Sequence, residues 1–98
     1  MERETRVIRE IDHAKGTVTD RAGQTVFVRF SLRQTQAIIN GIPSLRSASG
    51  SLEFDDARDA ESMFESAPTK TLRDAGIEVE VILDTMRSLI VTGPIKDI

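Results

Sequence analysis

The side chains able to do chemistry are few and scattered. The one histidine, His13, stands in "DHAKG". It could serve as an acid or base beside a spatial neighbour, but no other metal-ligating residue clusters with it in sequence. The densest charge is the acidic group Glu53, Asp55, Asp56, Asp59 and Glu61. Carboxylates suit a hard cation, yet this spacing lacks the central glycine and terminal glutamate of a calcium loop. Negative charge at a helix start accounts for Asp55, Asp56 and Asp59 without a metal, so neither metal nor cofactor is expected. Serines are plentiful, but the G-x-S-x-G elbow and the phosphate-binding glycine loops are absent. The serine-rich run 44–51 reads as a connection with, at most, hydroxyls for an anion. These residues give no argument for an enzyme.

Composition narrows the classes further. Cysteine is absent, which excludes disulfides, thiolate metal sites and thiol nucleophiles. No apolar run approaches the roughly 20 residues of a spanning helix, and "MERETRVIRE" has no apolar signal region, so a cytoplasmic setting without membrane contact is expected. At 98 residues, the chain is expected to form one domain, 1–98. Its net charge of −3 is uneven: residues 1–49 carry +3 and residues 50–98 carry −6. Such asymmetry suits a basic surface for nucleic acid, or two complementary surfaces for self-association.

The elements that must position these residues follow from periodicity. Alternation predicts strands at 5–11, 17–19 and 25–32, joined by turns at "DHAKG" and "DRAGQ" with Gly16 and Gly23 at positive φ. Ser31 and Gln34 have the spacing of a capping box, and Leu32, Thr35, Ile38, Ile39 and Ile42 recur as a helical stripe, which predicts a helix ending at Gly41. "SLEF" at 51–54 reads as a short strand. A helix over 55–67, capped by Asp55, would bury Ala57, Ala60, Met63, Phe64 and Ala67. "TKTLRDAG" reads as a further short helical piece. The final hairpin, 77–94, places Val81 opposite Leu89 and Val79 opposite Val91. The order β-β-β-α-(β)-α-α-β-β predicts a single α+β domain with a five- to six-stranded, mainly antiparallel sheet and helices on one face.

The face of that sheet turned away from the helices is the candidate interaction surface. It carries Glu78, Glu80, Ile82 and Ile90 from the hairpin and Phe27 from the strongest strand. A small, non-catalytic interaction or regulatory module that forms a homodimer, or binds another protein, is the leading expectation. The alternative is a nucleic-acid-binding sheet using Phe27, Arg29 and Arg9. A small-molecule pocket between sheet and helices is the weaker third.

Overall fold

The computed structural model of the chain describes residues 2–66 and 68–98. The elements are β1 (Arg3–Thr19), β2 (Thr25–Ile39), β3 (Ile42–Phe54), α1 (Ala57–Glu65), β4 (Thr69–Arg73), β5 (Ile77–Leu83), β6 (Ser88–Val91) and β7 (Lys96–Asp97). Every pairing is antiparallel, and the strands run in the order β4-β1-β2-β3-β6-β5. Because β4 pairs with β5 as well as with β1, the sheet closes into a six-stranded barrel. β7 lies beside the first residues of β5.

The α+β expectation is therefore wrong, and the reason is physical. Every barrel strand but β4, which turns Lys70 inward with Leu72, carries one apolar face, and α1, nine residues long, cannot cover a sheet of this width. The sheet covers itself instead, which also removes its edges. Val18, Val26, Val28, Phe30, Leu32, Leu52, Leu72, Ile77, Val79, Val81 and Leu89 fill the interior. Met63 joins them from α1, whose Ser62 hydroxyl donates to Gln24 Oε1 at the β1–β2 turn, so the helix closes one end of the barrel.

Three segments expected as helix or loop are strand. The stripe at 32–42 belongs to β2 and β3: its threonine and isoleucines favour strand, and both edges of β2 are paired. Ser31 caps nothing; its Oγ accepts from the His13 N–H at 3.2 Å. Asn40 and Gly41, both at positive φ, form the two-residue turn between Ile39 and Ile42. That is the type I′ hairpin pattern. The serine-rich run forms most of β3. "TKTLR" is β4, with Lys70 and Leu72 pointing inward.

Other expectations shift rather than fail. "DHAKG" is no turn: β1 runs straight through it with a register shift between Ile11 and Ala14. Gly16 is a close-packing residue, since a Cβ there would collide with the Arg73 carbonyl oxygen and crowd the Phe30 ring. Gly23 does have positive φ, at 89°, in the Asp20–Gln24 turn. The helix is capped by Asp56, not Asp55, through a 2.9 Å bond from the Arg58 N–H to Oδ1. It buries Met63, with Ala60 half-buried, while Ala57 and Phe64 are exposed. Ala67 lies outside the described residues. In the last hairpin the register moves by two residues, so Val81 faces Val91 and Leu83 faces Leu89. A two-residue shift keeps every side chain on its expected face.

Candidate functional site

The feature that the barrel does not explain is an arm. β1, β2 and β3 continue past the barrel as a three-stranded ribbon of residues 3–10, 33–39 and 42–48, none of which is buried. At about 3.3 Å per residue, the 15 residues of β2 run the length of a molecule 47 Å long. The Asn40–Gly41 turn is thus at one end of the molecule and α1 at the other. Cross-strand pairing fixes what each face of the arm shows. One face continues the barrel interior and carries the row Arg6–Gln36–Arg46, with Arg9 opposite Gln34. The other face carries Val7 beside Thr35, and Ile39 between Arg3 and Ile42. Leu45 is 82% exposed and Ile42 67% exposed near the tip.

The arm's charge is one-sided. It holds Arg3, Arg6, Arg9, Arg33 and Arg46 against Glu4 and Glu10. Arg6 contacts Glu4 at 3.4 Å, Arg33 contacts Glu10 at 3.2 Å, and Arg9 reaches Asp97 at 2.7 Å. Among the described residues, Arg3 and Arg46 make no ion pair. The arm also has two open edges. β4 pairs with β1 only at Thr17–Thr19, and β6 pairs with β3 only at Ser49–Ser51. Charges and two register shifts blunt the β1 edge, and the β3 edge from Ile42 to Ala48 carries Arg46, Pro43 and a register shift of its own.

The residues singled out from sequence fall elsewhere. Phe27 is exposed on the outer barrel wall opposite Thr17, and Arg29 lies on the same face between Lys15 and Glu53. Together with Asp55 they border a shallow groove of about 370 Å³. Arg9 is not part of it, because its row faces the other way. Ile82 and Ile90 are also on the outer wall, directly opposite each other, with Ile82 half-buried and Ile90 exposed. Glu80 is exposed and Glu78 half-buried on the same strand. β3 separates Phe27 from the isoleucines, and its outward Ser51 and Glu53 are polar, so no continuous apolar strip joins them.

His13 lines a second groove, of about 530 Å³, with Arg29, Ser31, Ser51, Glu53 and Arg87. Its φ of 52° belongs to the β1 register shift. Among the described residues, no group of three or more acidic or imidazole side chains is arranged to hold a metal ion. No described helix is long and apolar enough to cross a membrane. The layered sheet and helices that would have enclosed a small-molecule pocket do not exist, and the barrel interior is filled by side chains.

Inside the barrel, Lys70 is 2% exposed and Asp20 is buried near it. Burial pushes the Lys70 ammonium below its ordinary 10.5, and the Asp20 carboxylate opposes that shift. Asp20 also accepts the Gln24 N–H at 2.9 Å within the β1–β2 turn.

The arm is the part that sequence reading missed. One signal could have found it: Asn-Gly between isoleucines is a strong two-residue hairpin signature. Comparison with protein families, with curated proteins and with solved structures finds no match to this chain.

Proposed function

We propose that this chain is a self-associating interaction module that uses its arm, not a catalytic centre, as the working surface. One observation carries the reading: a three-stranded ribbon leaves the barrel with Val7, Ile42 and Leu45 exposed, while the C-terminal segment borders it only along Arg9, Gln34 and residues 46–48. A ribbon of this kind gains little stability by itself, because an apolar face contributes only when it is covered. A second copy supplies the cover. The surface that matters is then the arm, and the Ile82–Ile90 pair on the barrel wall is secondary.

Sedimentation velocity over a concentration series tests this reading. The parent protein should associate as concentration rises. Ile42→Lys combined with Leu45→Glu should leave a folded monomer, since neither residue belongs to the barrel core. A parent protein that stays monomeric at high concentration ends the reading.

A second reading has its own observation. Lys15 stands directly across from Arg29, beside exposed Phe27. An aromatic flanked by two cations can stack a base and hold a phosphate of single-stranded nucleic acid. Asp55 and Glu53 at the same groove oppose it. Titration of a labelled single strand against salt tests it: binding that weakens steeply with salt, and is lost in Phe27→Ala, supports this reading.

A further inference from the structure

We infer that the arm of one copy docks on the acidic, helix-bearing end of the next, so that copies associate head to tail. The inference rests on the self-association reading and names the acceptor for the arm.

The two ends of the molecule are opposites. At the arm end, Arg6 and Arg46 flank Gln36 in one cross-strand row, Arg3 lies beside Ile39, and five arginines face two glutamates over the whole ribbon. At the far end, the segment 55–65 carries Asp55, Asp56, Asp59, Glu61 and Glu65 against Arg58, with Arg21 in the neighbouring turn. Both ends expose apolar surface. Phe64 is 43% exposed and sits within a helical turn of Glu61 and Glu65, and Phe27 is exposed on the wall beside Asp55.

Charge decides between the two ways in which an arm could meet a second copy. Arm against arm, through either face, sets arginines against arginines, Arg6 and Arg46 on one face and Arg3 on the other, and like charges brought face to face oppose association. Arm against the acidic end sets the face of Arg6 and Arg46 against Glu61 and Glu65, with exposed Leu45, next to Arg46 in the chain, available to cover Phe64. The arm cannot reach the acidic end of its own chain, because the two lie at opposite ends of a 47 Å molecule. A contact between unlike surfaces repeats from copy to copy, giving a ring if the rotation closes and an open chain if it does not.

A mixing experiment tests the inference. One variant carries Arg6→Glu and Arg46→Glu on the arm. The other carries Glu61→Gln and Glu65→Gln on α1. All four positions are exposed, and circular dichroism verifies that each variant folds. Each alone should sediment as a monomer. Mixed, they should form a discrete 1:1 complex that grows no further, because only one intact arm and one intact acidic end remain. The parent protein should instead give sizes that increase with concentration and shrink with added salt. An α1 variant that associates like the parent, while the arm variant does not, overturns the head-to-tail contact and leaves arm-mediated association standing. Two monomeric variants that stay monomeric when mixed also overturn it. A parent that never associates removes the underlying reading as well.

Discussion

Lys70 and Asp20 are both buried in the barrel, and the Asp20 carboxylate favours the charged Lys70 ammonium. Removing a charge that favours a buried ammonium costs up to about 3–5 kcal/mol. Asp20→Asn retains an oxygen for the Gln24 N–H and removes only the charge. Chemical denaturation should therefore show a loss of that order, and an unchanged midpoint would mean that the pair contributes nothing.

The same pair sets a pH dependence. Burial lowers the Lys70 value in the folded state, so between that value and 10.5 the unfolded chain binds more protons than the folded one. Stability then rises with pH as the folded-state value is passed, and the gain is complete near 10.5. Denaturation midpoints of the parent and of Lys70→Met, measured across the alkaline range, check this. The parent should show the upward contribution and the variant should lack it.

Met63 and Phe64 are neighbours with opposite fates. Met63→Ala should cost about 2–5 kcal/mol, because it empties space inside the barrel plug. Phe64→Ala should change stability by about 0.5 kcal/mol or less, as exposed positions do. Thermal or urea unfolding of the two variants should separate them clearly. Equal losses would place the helix in a different rotation about its axis.

Ile82 and Ile90 face each other across β5 and β6 on the outer wall, with Ile90 47% exposed. Ile90→Lys should cost about 0.2–1 kcal/mol, the worth of a cross-strand pair. It should leave association unchanged, because the arm does not include it. Dissociation caused by this substitution would return the interface to the barrel wall.

Much of the strand content was legible, and its arrangement was not. Alternation at Val26–Leu32 and at Ile77–Val81 assigns the correct inward faces without any structure. The error over 32–42 arose because Leu32, Thr35, Ile38 and Ile39 satisfy a helical spacing by coincidence within a strand. β4 is obscured by Lys70, a charge at an inward position where alternation expects an apolar residue. Barrel closure depends on β4 pairing with β1 some fifty residues away, which no local pattern encodes. The candidate surface suffered likewise. Ile82, Ile90 and Phe27 were placed on the outward side correctly, but β3 comes between them, and the arm became visible only with the Asn40–Gly41 hairpin.

Amide hydrogen exchange of the parent protein, followed at low and high concentration, tests the central claim most directly. If the arm is covered by a second copy, amides in 3–8 and 42–48 should exchange fast when dilute and slowly when concentrated, while barrel amides such as those of β5 stay protected in both. Arm amides that exchange at one rate over the whole concentration range would contradict the account.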